Sequence, residues 1–273
     1  MAYSAVNQRH VPFLERPGSW VYRAVIIAVF LYVMGWAILF QLEKSYSFNW
    51  GLMLKFLPMF NVGLLLTVKA SLFAMVVGTV FGLFIALARL SPFTQLRDLG
   101  TLYVHTFRNM PFYVFILIVY FGFGRAIDVR PMLDLFGNFV DERLFWGVTA
   151  LAIFEAAYIS EIFRAGILSV HDTQREAARS MGMSTTQSMR YVILPQAIRN
   201  MIPALTGELI SLIKESALLF VISLSELTLV ARQLAAHEGS TLEFYTVLAV
   251  YYLMLTIPLA GASHLLEGKL SLK

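Results

Sequence analysis

Charged side chains set inside long apolar runs are where this sequence could do chemistry. Glu155, Tyr158, Glu161 and Arg164 recur at three-residue steps, which drift slowly around one broad helical face. Glu208, Ser211 and Glu215 make a second stripe at i, i+3 and i+7, with Lys214 beside it. Thr67, Lys69 and Arg108 stand early in two other apolar runs. Such groups are costly in a bilayer and face a partner or a water-filled path. The chemistry on offer is therefore recognition: a carboxylate can hold a cation, and an arginine can grip a carboxylate through two parallel hydrogen bonds.

Each of these residues also has a plainer reading. Glu161 and Arg164 could pair as a structural clamp, and Arg108 could snorkel to the membrane surface. Lys214–Glu215 could join two helices, and a solvated channel face accounts for the Glu208 stripe as well as a ligand does. Glu155 reads as a buried ion pair, a protonated carboxyl or a pathway acid. Catalysis finds no support. The histidines are scattered, with no second ligand at metal spacing. Nothing resembles a nucleophile with its base, and the absence of cysteine rules out thiolate metal sites and disulfides.

The elements that carry these residues must be membrane helices. Of the 273 residues 58% are hydrophobic and 14% charged, against roughly 45–50% and about 25% for a soluble domain. Runs of about 20 apolar residues fall at 24–42, 62–90, 102–123, 145–168, 202–223 and 244–263, which predicts an all-α polytopic protein with about six spans. The first span reads as a retained helix, since no small-x-small cleavage site follows it. With the N-terminus inside, twelve Lys and Arg fall on the cytoplasmic side and six outside, so both termini are expected in the cytoplasm. The net charge of +4 follows from these flanking bases and calls for no nucleic-acid partner. Gly78 and Gly82 in "GTVFG" are spaced to let two helices approach closely, and Pro111 predicts a kink in the third span. "SLSELTLVARQLAAHE" is too polar to span and reads as a short helix at the outer mouth, a gate or a plain surface helix, opened by a Ser223–Glu226 capping box.

One polar stretch interrupts this pattern, "REAARSMGMSTTQSMRYVILPQAIRN" from Arg175 to Asn200. Thr173 with Glu176, then Ser184 with Gln187, have the spacing of two capping boxes. Gly182 can take the left-handed conformation that closes a helix, and Pro195 is expected to end the second one. The stretch therefore predicts a stiff helix–Gly–helix elbow, with Ala177 and Ala178 offering a close-packing surface. The alternative is an amphipathic hairpin lying on lipid headgroups.

Glu176-Ala177-Ala178, Gly182 and Leu194-Pro195 stand at the spacing of the EAA loop of ABC importer permeases, which this stretch resembles. Val192 replaces the usual isoleucine. "AAYISEIFRAGILSV", "LPQAIRNMIPAL" and "ELISLIKESALLFVISLSELT" resemble the polar amino acid branch of these permeases, over about 61–265. "FRNMP" departs from that branch, with Asn109 and Met110 in place of Gly-Thr.

The resemblance implies a type I importer fold over 61–265, with the loop at 169–201 docking on a separate ATPase subunit. It leaves 1–23 as a cytoplasmic segment, 24–60 as an extra first helix with an external loop, and 266–273 as a tail. It further implies a second permease subunit, an extracytoplasmic binding protein that delivers an amino acid, and the bacterial inner membrane. Glu161 matches the acidic position of the family's Ala-Tyr-x-x-Glu motif, which would give it the substrate ammonium group; Glu155 has no counterpart there. The chain holds no Gly-x-x-x-x-Gly-Lys-Ser/Thr loop, so ATP and its magnesium would sit on the partner. The rival class is an ion-coupled secondary transporter with Glu155, Glu161 and Glu208 carrying protons; the internal repeats common in that class are not found.

Overall fold

The computed structural model describes residues 48–129 and 141–270, with isolated positions 29, 32, 33, 35, 36 and 133 besides. The expected first span at 24–42 falls almost wholly outside these. The chain divides into two units, Met1–Trp50 and Gly51–Lys273. Every regular element among the described residues is helical.

The elements are α1 (Trp50–Arg89), α2 (Thr94–Arg108), α3 (Phe112–Ala126), α4 (Glu142–Leu168), α5 (Asp172–Ser180), α6 (Thr185–Ile222), α7 (Leu227–Glu238) and α8 (Thr241–Leu270). Two of them, α1 and the stretch Thr241–Glu267 of α8, are long and apolar enough to cross a bilayer alone; two bent pairs, α2 with α3 and α6 with α7, bring that to four. At 27 residues α4 also has the length, about 40 Å. It is buried along most of its length, although it carries Glu155, Glu161 and Arg164. The outer helices instead expose large apolar side chains, Phe73, Val76 and Phe84 on α1 and Met254 and Ile257 on α8, the surface that lipid would cover.

Three expectations are corrected. Residues 50–60, read as external loop, form the first turns of α1, because Leu52, Met53, Phe56, Leu57 and Phe60 pack on Phe244 and its neighbours. The third span is broken rather than kinked: α2 and α3 meet at 101°. Pro111 disfavours the helical conformation at the residue before it, and Asn109 closes α2 by donating its side-chain amide to the carbonyl of His105 at 2.8 Å. The helix after residue 223 buries Leu227, Val230, Ala231 and Leu234 of α7 and exposes Arg232, Gln233 and His237, but the expected Ser223–Glu226 capping box does not open it. Its cap is Glu226 itself, accepting from the backbone N–H groups of Thr228 and Leu229 at 2.8 and 2.9 Å, while Ser223 turns left-handed at φ 60°.

The small-residue pair on α1 does what its spacing suggests. A Cβ at Gly82 would lie 2.9 Å from Ile159 Cγ2 and 3.1 Å from the Ala156 carbonyl, so α1 and α4 touch backbone to side chain there. Gly82→Val should therefore push the helices apart and cost about 1–3 kcal/mol. Thermal unfolding of the detergent-purified protein checks this, and an unchanged midpoint would count against the contact.

Candidate functional site

The elbow begins where α5 stops. Met183 donates its N–H to the Ala178 carbonyl at 3.1 Å and Gly182 donates to Arg179 at 2.9 Å, the paired bonds of a Schellman closure. Gly182 carries φ +78°, a value open to glycine and costly for a branched side chain. The expected Ser184–Gln187 box is present in both directions, at 3.3 and 2.8 Å. The expected Thr173 box is not: α5 starts two residues earlier, behind His171, which offers no side-chain cap. Of the two alanines only Ala178 is buried; Glu176, Ala177 and Met181 face outward.

Pro195 does not end the second arm. A wide π turn over Met189–Ile193 precedes it, and Leu194 donates to Met189 in the i→i+5 pattern. That register accommodates a residue without an N–H, and the Gln196 side-chain amide bonds the Val192 carbonyl at 2.8 Å. Pro195 thus sits in the first turn of the segment Leu194–Glu215, a position proline tolerates. The second arm of the elbow is therefore continuous with α6.

The elbow is tied to the end of α4. Arg175 donates to the Ile167 carbonyl at 2.9 Å, Asn200 donates to Ser169 Oγ at 2.9 Å, and Ile167, Val170, Ile193, Ala197 and Met201 form one apolar cluster. Met201 also fills the space that a side chain at Gly166 would need.

Four of these, Gly166, Ser169, Asn200 and Met201, also wall a cavity of about 430 Å³, with Arg108, Tyr158, Glu161 and Glu208 among its other lining residues. A second hollow of about 240 Å³ adjoins it, sharing Arg108 and Glu161 and adding Arg89, His105 and Asn109. Four of the six sequence candidates, Arg108, Tyr158, Glu161 and Glu208, therefore converge, with the Arg108 guanidinium 5.4 Å from the Tyr158 ring centre. Ser211 is not in the lining. Thr67 is fully buried elsewhere, its hydroxyl accepting from the Leu227 N–H at 3.2 Å, so it fixes the start of α7 against α1. Lys69 and Lys214 are exposed.

Glu161 is held by two arginines. Arg164 bonds both of its oxygens and Arg89, from the end of α1, bonds one of them. Its charge is thereby matched within the protein, as the clamp reading has it, with a second arginine that the spacing of α4 alone could not reveal. Asn200 and Ser169 were missed as well; their signal was only a pair of polar residues flanking the elbow. The lining brings together the Arg108 guanidinium, the Glu208 carboxylate, the Tyr158 and Ser169 hydroxyls and the Asn200 amide, groups able to bond both charges of a small zwitterion. Among the described residues no three His, Asp or Glu side chains are placed to hold a metal ion.

Helices sized for a membrane, a buried central helix and an exposed elbow braced against a hollow that holds several charged side chains fit a membrane transport component. The chain belongs to the family described as binding-protein-dependent transport system inner membrane component, which it matches over residues 78–272. It is similar to the glutamate/aspartate import permease protein GltK of Escherichia coli O6:H1, 33% identical over 216 residues that cover 78% of this chain and 93% of that one. The probable glutamine ABC transporter permease protein GlnM of Bacillus subtilis is 37% identical over 212 residues, with the same two coverages. Among solved structures, one described as an amino acid ABC transporter with histidines shares 36% identity at a TM-score of 0.72, covering 82% of this chain and 99% of that chain. The MetNI methionine ABC transporter, at 19% identity and a TM-score of 0.66 over 80% of this chain and 99% of that chain, shares the fold.

Proposed function

We propose that the chain lines the membrane path of an ATP-driven importer for a polar amino acid, working as one of two permease subunits in the bacterial inner membrane. In this reading both termini are cytoplasmic, an extracytoplasmic binding protein delivers the substrate, and the chain itself holds no ATP site or cofactor. ATP and magnesium bind on a separate ATPase whose cleft receives the elbow, with Glu176, Ala177 and Met181 as the outward face. The permeases named above, and their import of amino acids, support the substrate class.

The observation that carries the mechanism is the sharing of residues between elbow and cavity. Met201, Asn200, Ser169 and Gly166 brace the elbow and line the cavity at once. ATP binding closes the ATPase pair, each elbow moves with it, and the path opens outward to accept substrate at Arg108, Tyr158 and Glu208. Hydrolysis lets the elbows part and the cavity faces the cytoplasm.

The test is uptake of radiolabelled amino acids into vesicles carrying the permease, its ATPase and the binding protein. Accumulation should require ATP. Accumulation driven by a proton gradient without nucleotide would establish the secondary-transporter class instead.

A further inference from the structure

The first arm of the elbow, α5, carries the outward-facing Glu176 and Ala177, yet it is lightly fastened to the rest of the protein. Among its residues Ala178 alone is buried. It rests on the second arm, at Thr185–Ser188 and the turn Met189–Ile193. The apolar cluster that seats the elbow draws Ile167 and Val170 from the end of α4 and its link, and Ile193, Ala197 and Met201 from the second arm; no residue of α5 joins it. Apolar packing is non-directional. Such a cluster passes a thrust along α6 but resists rotation of the elbow poorly.

The last carbonyls of α4 show where that rotation is stopped. A helix leaves these groups without partners of its own. Ala165 accepts from the Ser169 N–H at 2.8 Å, and Gly166 accepts from the Ser169 hydroxyl at 2.8 Å. Ile167 comes next, and its donor arrives from α5: the Arg175 guanidinium, through Nη2, at 2.9 Å. A cation suits the negative end of a helix, and a hydrogen bond has the directionality that the cluster lacks. Asp172 offers a partner on the same helix, but its carboxylate is 90% exposed and stands 3.9 Å from Arg175 Nε. The side chain is thus held across to α4 rather than along α5. Among the described residues no other hydrogen bond or ion pair joins these two helices.

We propose that Arg175 is the positioning residue that couples the first arm of the elbow to α4. With it in place, the ATPase's movement displaces the cavity wall; without it, the elbow turns idly about the apolar cluster. This rests on the importer reading above. One attachment makes a pivot, and two separated attachments make a brace. Gly166 and Ser169 flank Ile167 and line the cavity, so a displacement delivered at the Ile167 carbonyl reaches the substrate path within a single turn.

The experiment measures ATP hydrolysis and amino acid uptake side by side, in proteoliposomes holding the permease–ATPase complex and supplied with the binding protein. Arg175→Met keeps the length and the apolar stem but removes charge and donors; Arg175→Lys keeps a charged donor. The methionine complex should assemble and hydrolyse ATP near the wild-type rate. It should move roughly tenfold less substrate per ATP, as the loss of one hydrogen bond from a charged donor implies. The lysine variant should recover most of that ratio. A wild-type ratio in the methionine variant overturns the proposal, whether both rates hold or both fall together. Loss of the ATPase from the methionine complex also overturns it, by making Arg175 a docking residue, and so does a lysine variant no better than methionine. Wild-type uptake that proceeds without ATP would instead remove the importer reading beneath it.

Discussion

Gly182→Val should yield a protein that inserts and purifies normally but neither retains the ATPase subunit nor transports. The residue sits at φ +78° with open space where a Cβ would go, so the substitution acts on the backbone alone. Holding a branched side chain in that region costs roughly 1–2 kcal/mol, enough to release the bond from Met183 to Ala178 and swing the two arms apart. Gly182→Asn is the control, because asparagine tolerates the left-handed region and should preserve most of the activity. Co-purification with the ATPase and uptake in vesicles are the two readouts. Normal transport by the valine variant would mean that the angle of the elbow does not matter.

The second large effect is expected at Glu161. Glu161→Gln removes the charge that two guanidiniums share, at side-chain exposures of 12% for Arg89, 27% for Glu161 and 32% for Arg164. A fully buried pair loses about 3–5 kcal/mol when one partner goes; partial exposure reduces this to about 1–3 kcal/mol. The thermal midpoint should fall and uptake with it, since the same carboxylate joins α1 to α4 beside the cavity. Adding Arg89→Gln should recover part of the lost stability, the mark of direct coupling in a double-mutant cycle. If the single variant matched the wild type in both midpoint and uptake, the three-residue clamp would carry no weight.

What could be read from the sequence was local. Gly182 and the Ser184–Gln187 box were legible because each depends on groups three or four residues apart. The same local logic went astray where a tertiary partner intervened. Ser223 has the spacing of a cap, yet the close of the preceding helix turns it left-handed and leaves the task to Glu226. Thr67 reads as a pathway hydroxyl because its bond to Leu227, 160 positions away, leaves no trace in its neighbourhood. Arg89 and Glu161 are 72 positions apart and meet only because α1 and α4 lie side by side. Pro195 misled for a different reason: a π turn just upstream changes the register that makes proline a helix breaker.

The continuity of α6 has a mechanical consequence. From Thr185 to Ile222 the rod is roughly 55 Å long, and it bears on α4 partway along, where Met201 seats against Gly166. Beyond that seat its far end abuts Ser223, whose carbonyl accepts from Arg143 at the opposite end of α4. Leu219 and Ile222 pack on Gly147 nearby, so the rod is riveted to α4 at both ends. A push delivered near Ser184 therefore loads α4 at once along its whole span, with no loose joint to absorb it.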